Sequence, residues 1–352
     1  MTTILFIGDQ HFKTTNIPEV ELFIKKITEL AEEKKPDLIV LGGDLLDCHE
    51  RLHTVPLNKA YELINNMRRI SKTYVLVGNH DIINNQQFLT ENHWLNSMKE
   101  WENTVIVDKV LTETIDESMF VFVPYVPPGR FQEALGTLKE DEDEDNWKNA
   151  KCIFAHQEFF GCKMGAISSV EGDKWPLDYP EVVSGHIHSK QRPQKNVYYS
   201  GSAMQHAFGE STKNIIAHLT FNSKSPGYEL DEIDLNLPRK KIVYMDIESI
   251  DDYKVPETKD KIKITVSGGY DQFKALKKTK KYKKLVKDGV KVVFKAKKIE
   301  HKKEISEKIV NETAFSTILN EIVNQKNNSY LYATYELVVN NKEVDILHLD
   351  NV

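Results

Sequence analysis

The chain has 352 residues and a formal net charge of −6 at pH 7, with 40% hydrophobic and 28% charged residues. This composition is typical of a folded globular protein, and the length exceeds the ~250–300 residues at which a single core stops growing, so we expect one large domain with smaller additions. The absence of an apolar run of ~18 residues, of a visible secretion signal and of a zinc or disulfide pattern among the three cysteines favours a cytoplasmic protein without a membrane partner.

Charge is distributed unevenly along the chain. Residues 241–352 hold 22 lysines and no arginine against 17 acidic residues, a net charge of +5, whereas residues 1–240 carry −11. A basic C-terminal part after an acidic N-terminal part predicts contact with a polyanion. The alternative is an ordinary soluble surface rich in lysine.

The first third of the chain alternates apolar runs with helical patterns. Buried strands are predicted at residues 3–8, 38–41 and 74–77, with helices from about 18 to 33 and from about 56 to 70. Strands that alternate with helices predict a parallel sheet covered by helices. Ligands of such sheets bind at the carboxyl ends of the strands.

Polar side chains follow each of these three strands. Asp9 and His11 come after the first, Asp44 follows the Gly42-Gly43 pair after the second, and Gly78-Asn79-His80-Asp81 follows the third. Residues two apart in an extended segment face the same way, so Asp9 and His11 are predicted to face one cation together.

The middle of the chain continues the pattern with two more histidine clusters. Strands are predicted at 105–107, 119–123, 152–155, 182–184, 196–200 and 215–219, a short helix at 131–138, a solvated acidic loop at 140–145, and a final stretch at 228–247 that completes the sheet. His156 follows one of these strands. Gly185-His186-Ile187-His188 follows the next.

The rear part predicts a small basic α/β unit and two terminal helices. The unit consists of a half-exposed strand at 262–266, a lysine-rich helix at 273–286 and a strand at 290–294; fourteen lysines fall between Lys274 and Lys303. Apolar residues at 315–323 and 330–339 predict a helix–loop–helix ending, which either packs on its own domain or docks onto a partner.

Taken together, the five polar clusters predict a metal centre. A single aspartate or histidine usually caps a turn or packs in a core, but five clusters after five predicted strands are hard to obtain by chance. Mixed imidazole and carboxylate ligands suit Mn, Fe or Zn rather than calcium. The ligands are too many for one tetrahedral ion, whereas two ions ~3.5–4 Å apart that share a carboxylate would use them all and would hydrolyse phosphate esters.

The motif set resembles that of the calcineurin-like metallophosphoesterases. The resemblance rests on Asp9-x-His11, Gly43-Asp44, Gly78-Asn79-His80-Asp81, His156 and Gly185-His186-x-His188, and it spans about residues 4–206. The segments Val197-Tyr198-Tyr199-Ser200-Gly201-Ser202 and Phe208-Gly209-Glu210 make it similar to the SbcD/Mre-eleven nuclease branch, which includes phage recombination endonucleases.

This resemblance implies a role for each motif residue. Asp9, His11 and His188 would hold the first metal, Asn79, His156 and His186 the second, and Asp44 would bridge them. His80 would orient the scissile phosphate and protonate the leaving oxygen, with Asp81 in support of His80. Some family members have a histidine where this chain has Asp47, which leaves the balance of exonuclease and endonuclease action open; His49 or His53 could substitute.

The resemblance also implies an organisation and partners. We expect a metallophosphoesterase β-sandwich flanked by helices at residues 1–250, a basic α/β capping domain that faces DNA at 251–300, and C-terminal helices at 301–352 that dock an SMC-type ATPase of the SbcC/Rad-fifty class. A homodimer through helices at about 56–70 and 88–100 is implied as well. Candidate DNA-phosphate contacts are Lys274, Lys277, Lys278, Lys280 and Lys281.

The sequence analysis thus predicts a two-metal, manganese-dependent DNA nuclease of repair, recombination or replication. One alternative is a phosphoesterase that acts on a small phosphodiester or a phosphoprotein. Protein phosphatases of this superfamily carry Asp-Arg-Gly after the bridging carboxylate, whereas this chain has Leu45-Leu46-Asp47. The other alternative is a non-catalytic scaffold with degraded ligands, which the complete ligand set disfavours.

Overall fold

The computed structural model describes residues 1–49, 51–138, 146–296, 315–326 and 328–339. The helices are α1 (Ile17–Lys34), α2 (Thr54–Ile70), α3 (Phe131–Leu135), α4 (Tyr270–Leu276), α5 (Lys280–Lys287), α6 (Phe315–Gln325) and α7 (Ser329–Val339). The strands are β1 (Thr2–Ile7), β2 (Leu38–Leu41), β3 (Lys72–Leu76), β4 (Thr104–Val107), β5 (Leu111–Ile115), β6 (Ser118–Val123), β7 (Cys152–His156), β8 (Lys163–Met164), β9 (Ile167–Ser168), β10 (Val182–Gly185), β11 (Gln191–Gln194), β12 (Val197–Tyr199), β13 (Ile216–Phe221), β14 (Glu229–Ile233), β15 (Lys240–Asp246), β16 (Lys261–Gly268) and β17 (Lys291–Ala296). The acidic run 140–145 and the lysines between 297 and 303 lie outside the described residues.

Two six-stranded mixed sheets form the main body. The first has the order β14-β13-β1-β2-β3-β4, and the second has the order β11-β12-β10-β7-β6-β5. In the first sheet β1 to β4 run parallel, and in the second β6, β7, β10 and β12 do. The predicted α/β class and the β-sandwich flanked by helices are confirmed.

The two sheets pack face to face through aromatic side chains. Tyr74 on β3 stacks on Phe122 on β6 with ring centroids 4.0 Å apart, and Phe6 on β1 lies 6.0 Å from Phe154 on β7. All four rings are buried, and each contributes about 1.5–3 kcal/mol to stability. The strand ends that carry the polar clusters are therefore held on a rigid scaffold.

The outer faces of both sheets are buried as well. Leu5 and Ile7 point away from the sandwich core and share a core with Phe23 and Ile27 of α1, while Val121 of the second sheet shares one with Phe131 of α3. Successive strand residues point to opposite faces, so a strand buried on both sides is apolar throughout. This is why the strands were predictable as continuous apolar runs.

A third, three-stranded parallel sheet lies at the rear of the larger unit. It has the order β15-β16-β17 and shares a core with α4 and α5. The expectation that residues 228–247 complete the main sheet is wrong in its second half. Glu229–Ile233 does join β13, but Lys240–Asp246 pairs in parallel with β16 instead, because its register partners lie in Lys261–Ser267.

The single lysine-rich helix predicted at 273–286 is in fact two helices. α4 ends at Leu276, and α5 begins at Lys280 with Thr279 as its N-cap, whose hydroxyl accepts a hydrogen bond from the Tyr282 amide at 3.1 Å. A threonine N-cap competes with continuation of the preceding helix, so the break is local chemistry that apolar periodicity does not reveal. The helix expected at 88–100 is likewise reduced to a 3-10 helix at Trp94–Met98.

The chain divides into two compact units, Met1–Lys297 and Lys298–Val352. In the second unit, α6 and α7 contact each other. The domain limits at 250 and 300 stay predictions. Among the helices described, none combines the length and apolar character that crossing a bilayer requires.

Asp108, just after β4, supplies a buried ion-pair network that ties Trp94–Met98 to the sheet. Its carboxylate lies 3.2 Å from His93 Nε2 and is paired with Lys99. Burial opposes the charged form, but these two partners lower the pKa of Asp108 to about 2. A carboxylate with a lowered folded-state pKa stabilises the fold above its unfolded pKa of ~3.9 and loses that effect as pH falls towards 2.

Replacement Asp108→Asn is therefore expected to lower the free energy of unfolding by about 1–2 kcal/mol at pH 7, a value discounted for the partly exposed Lys99. The difference from the unsubstituted protein should shrink as the pH falls below 4. Urea unfolding at several pH values measures this. Asp116→Asn, at an exposed carboxylate, is the control with little effect, and a pH-independent loss for Asp108→Asn would contradict the assignment.

Candidate metal centre

The carboxyl ends of parallel strands from both sheets meet at one edge of the sandwich. The structure brings six of the seven predicted metal ligands, together with His80, into three overlapping clusters: Asp9, His11 and His188; His11, Asp44 and His80; and Asp44, His156 and His186. In each cluster one ligand atom from every residue lies within 4.8 Å of the others. Since His11 and Asp44 each belong to two clusters, the groups form one continuous centre.

Several residues of the centre have a left-handed backbone conformation and not an extended one. The positive φ angles are 36° at Asp9, 43° at His11, 52° at Asp44 and 78° at His186. The reason given for pairing Asp9 with His11, an extended segment, is therefore wrong although the two do converge. Such angles are unfavourable for residues other than glycine and persist only where the surroundings impose them.

Two glycines are needed at the centre for space. A Cβ at Gly78 would lie 2.2 Å from Oδ1 of Asp44, and one at Gly43 would lie 2.4 Å from Nδ1 of His156. Glycine thus lets the backbone of one strand end approach the ligands of its neighbours. Of the two, only Gly43 also has a positive φ, 94°.

Asp44 lies in the middle of the centre. Its Oδ2 is 3.3 Å from His156 Nε2 and 3.5 Å from His11 Nε2, and its Oδ1 accepts the amide of His80 at 2.8 Å. Burial opposes its charge, but the neighbouring imidazoles, His156 first, hold the pKa of Asp44 well below its usual range. Asp44 therefore stays a carboxylate that two cations can share.

Asn79 and two histidines form one side of the centre. Asn79 Oδ1 is 3.0 Å from His156 Nε2 and 2.9 Å from His186 Nδ1, while His156 Nδ1 donates to the Gly42 carbonyl at 2.7 Å. Burial lowers the pKa of His156, but Asp44 outweighs it and raises the pKa to about 9. A proton on His156 Nε2 would have to leave before a cation could bind that atom, so metal binding would release a proton.

The other side fits a cation equally well. The Nε2 atoms of His11 and His188 lie 3.0 Å apart, and the buried Oδ2 of Asp9 has no hydrogen-bond partner among the described residues. A buried carboxylate oxygen without a partner is costly unless a ligand satisfies it. Because the donors are imidazole nitrogens, carboxylates and an amide oxygen, the set suits a divalent ion such as Mn, Fe or Zn.

Glu210 orients His188. Its Oε1 lies 3.6 Å from His188 Nδ1, and its Oε2 accepts the amides of His206 and Ala207 at 2.8 and 2.7 Å. Burial raises the pKa of Glu210, but His188, the Ala207 amide and the charge of His206 lower it overall to about 2. With Nδ1 directed to Glu210, His188 presents Nε2 to the centre, the arrangement in which carboxylates support metal-binding histidines.

Replacement Glu210→Gln is expected to weaken binding of one divalent ion about 10- to 100-fold, because the charge that fixes His188 is lost. Competition with a fluorescent chelator measures the affinity for manganese. Glu232→Gln, at a surface carboxylate paired with Lys190, is the matched control. Equal affinity in both variants would show that Glu210 does not position the ligand.

His206 is a residue that the sequence analysis missed. Its Nε2 contacts the Asp9 carbonyl at 2.9 Å, and its ring lies 4.9 Å from the His11 ring and 5.3 Å from the His188 ring. No site residue was predicted between the strands at 196–200 and 215–219. The available signal was the motif with Phe208-Gly209-Glu210, which places His206 four residues before Glu210.

Asp81 does not contact the His80 side chain as predicted. Its Oδ2 accepts the amides of Asp44 and Gly78 at 2.9 and 3.0 Å, and its Oδ1 accepts the indole of Trp94 at 3.0 Å. Burial raises the pKa of Asp81 to about 6. Its support of His80 is thus indirect, because Asp81 fixes the Asp44 backbone and Asp44 accepts the His80 amide.

The His80 ring has other neighbours. Its Nδ1 lies 3.2 Å from the Asp47 carbonyl, its ring stacks on His49 at 4.9 Å, and it meets the edge of His11 at 4.8 Å. Burial lowers the pKa of His80, against the opposing pull of Asp44. Since Nδ1 is engaged by the carbonyl, Nε2 is the atom left to exchange a proton with a ligand.

Comparison with known proteins agrees with this geometry. A family model described as calcineurin-like phosphoesterase matches residues 2–190. "Putative phosphoesterase 078R" of Invertebrate iridescent virus 3 is 51% identical over 299 residues, which cover 84% of this chain and 84% of that protein. "Putative phosphoesterase 244L" of Invertebrate iridescent virus 6 is 50% identical over 280 residues, 79% of this chain and 98% of that protein.

Among solved structures, a similar one is "GAP50 the anchor in the inner membrane complex of Plasmodium". It is 14% identical, with a TM-score of 0.41 over 67% of this chain and 85% of that one. So distant a likeness adds nothing about the function of this chain.

Proposed function

Since the chain belongs to the calcineurin-like phosphoesterase family, we propose that it is a two-metal, manganese-dependent DNA nuclease of the SbcD/Mre-eleven type. The observation that carries the proposal is the single centre in which Asp9, His11, Asp44, Asn79, His156, His186 and His188 meet beside His80. A complete ligand set beside a separate proton donor supports an enzyme over a scaffold.

In the proposed reaction the protein residues bind, orient and protonate. Two divalent ions, when bound, would lower the pKa of a water and offset the charge that develops on the phosphate. His80 would place the scissile phosphate and give its Nε2 proton to the leaving oxygen. Because Nδ1 faces the Asp47 carbonyl, Nε2 carries a proton only in the imidazolium form of His80. Burial lowers the pKa of His80 and disfavours that form, whereas the opposing pull of Asp44 and the charge of a bound phosphate would favour it.

The three-stranded sheet β15-β16-β17 supports DNA as the substrate class because it is basic and contacts the segment beside the centre. Lys240 at the start of β15 donates its amide to Gln205 Oε1 at 2.7 Å, and Lys263 on β16 lies 5.3 Å from the Phe208 ring. Both contacts fall on the segment that also carries His206 and Glu210. A polyanion on this sheet would therefore lie against the loop that positions the metal ligands.

Of the five candidate lysines, four are exposed, and the fifth donates hydrogen bonds to backbone carbonyls. Lys274, Lys277, Lys278 and Lys280 are exposed on α4, on α5 and between them. Lys281 donates to the carbonyls of Asp251 and Tyr253 at 2.8 and 2.7 Å. We therefore retain the four exposed lysines as the phosphate contacts and regard Lys281 as a structural residue.

Replacement of Lys274, Lys277, Lys278 and Lys280 by glutamine is expected to weaken DNA binding and to flatten its salt dependence. Each lost phosphate contact reduces the slope of log K against log salt by about 0.9. Fluorescence anisotropy over a salt series measures both quantities. A matched variant with Lys25, Lys35, Lys109 and Lys224 replaced should keep the slope. Equal slopes in all three proteins would mean that the four lysines on and between α4 and α5 do not contact DNA phosphates.

The remaining partners follow from the same proposal. α6 and α7 expose Ile322, Tyr330, Leu331 and Val338, which suits docking of an SMC-type ATPase of the SbcC/Rad-fifty class. A homodimer is proposed as well, now through α2 and Trp94–Met98 rather than two long helices. Light scattering of the purified protein measures the oligomeric state, and a monomer at micromolar concentration would contradict the homodimer.

Incubation with labelled single- and double-stranded DNA, with and without manganese, tests the function directly. Manganese-dependent cleavage is expected. Hydrolysis of bis(p-nitrophenyl) phosphate without any cleavage of DNA would identify a phosphoesterase of small substrates instead.

A further inference from the structure

A surface cleft of about 380 Å³ opens next to the metal centre on the side of His80. His49, whose ring stacks on His80 with an interplanar angle of 12°, lines it, as does Asp81, which holds the Asp44 amide. The cleft thus begins one ring beyond the proposed proton donor. If His80 protonates the leaving oxygen, this is the leaving-group side of the scissile phosphate.

The charge of the cleft disfavours phosphate as its occupant. Glu91 is exposed at the lining, and no lysine or arginine is among the described residues that line the cleft. The Asp81 carboxylate is buried and accepts three hydrogen bonds, so Glu91 supplies the exposed negative charge, which repels an anion but tolerates a neutral group. The phosphate of a substrate would therefore be held at the metal ligands, and an uncharged part of the substrate would enter the cleft.

The lining suits a flat aromatic group with polar edges. Leu52 and Ile83 are 42% and 38% exposed and supply apolar contact, and the Trp94 and His49 rings supply π surface. Asn92, at the exposed rim, offers amide donors and acceptors. Aromatic and apolar surface with a few polar groups is what unstacked nucleobases meet in single-strand binding sites.

We infer that this cleft binds the nucleobase on the leaving-group side of the scissile phosphate and requires that base to be unstacked. The inference rests on the proposed nuclease function and adds a substrate subsite to it. The enzyme would accordingly act on ends, single strands or distorted duplexes in preference to a stacked regular duplex, because the base must leave its stack to enter the cleft.

The test compares single-stranded oligonucleotides that carry either a normal nucleotide or an abasic one on the leaving-group side of the cleaved bond. With the unsubstituted protein and manganese, loss of that base is expected to lower kcat/KM about tenfold, as loss of one base–aromatic stack does. The double variant Leu52→Ala/Ile83→Ala keeps both rings but loses the apolar contact, so it should cleave the intact substrate more slowly, reduce the discrimination and leave the abasic rate unchanged. Val170→Ala/Leu177→Ala, an exposed apolar pair elsewhere, should keep the discrimination.

Each other outcome has a distinct meaning. Cleavage of DNA without discrimination against the abasic substrate, or an equal loss on both substrates in the Leu52/Ile83 variant, overturns the subsite and leaves the nuclease proposal standing. If only bis(p-nitrophenyl) phosphate is hydrolysed, the nuclease proposal fails, and calorimetry with thymidine 5′-monophosphate and deoxyribose 5-phosphate decides the subsite. Equal affinity for the two compounds would then overturn it.

Discussion

Replacement His80→Ser is expected to lower kcat for DNA about 10²- to 10⁴-fold while the protein keeps two divalent ions per chain. His80 contacts Asp44 only through its backbone amide, and its ring lies beside the ligands, so its loss removes a proton donor and leaves every predicted ligand in place. Single-turnover cleavage and metal analysis by mass spectrometry measure the two quantities on the same sample.

The leaving group provides the control for this variant. A p-nitrophenyl ester leaves as a weakly basic phenolate that does not need a proton, so His80→Ser should lose much less activity on that substrate than on DNA. An equal loss on both substrates would mean that His80 binds the phosphate without protonating the leaving oxygen. Loss of metal from the variant would mean that His80 is itself a metal ligand.

Replacement Asp44→Asn is expected to abolish manganese-dependent activity and to weaken metal binding more than 100-fold, beyond the cost of removing an outer-shell partner. Asp44 is shared by two clusters of ligand atoms, and its charge also raises the pKa of His156. The variant should therefore lose both the bridge and the charge that offsets two divalent cations.

Thermal unfolding with and without manganese makes this result measurable without activity. An ion at 100 times its dissociation constant stabilises the native state by about 2.7 kcal/mol, and Asp44→Asn should lose most of that increment. Asp108→Asn removes another buried carboxylate paired with a histidine, so it should destabilise the fold but keep the metal-induced shift. A full metal-induced shift in Asp44→Asn would speak against the bridging role.

The strands and the convergence of the ligands were predictable because burial on both faces makes each strand a continuous apolar run. Leu38–Leu41 was predicted with the bounds it has, and Asp44 follows it at the edge where parallel strands end. The fold class could be inferred for the same reason, since the spacing of strands and helices defines the layers.

The remaining features depend on contacts between residues far apart in the chain. The partners of Asp81 include the Trp94 indole and the Asp44 amide, which no local pattern relates to it. The left-handed backbone at Asp9 and His11 is imposed by the packed centre, so spacing alone gave the right pair for the wrong reason. The pairing of β15 with β16 also joins segments far apart in the chain, because the residue pattern of β15 does not indicate which sheet the strand joins.

Anomalous diffraction from crystals soaked in manganese would locate the two proposed ions. We expect two peaks ~3.5–4 Å apart, one on each side of the Asp44 carboxylate, with Asp9, His11 and His188 around one and Asn79, His156 and His186 around the other. A single peak, or two peaks that Asp44 does not contact, would contradict this arrangement.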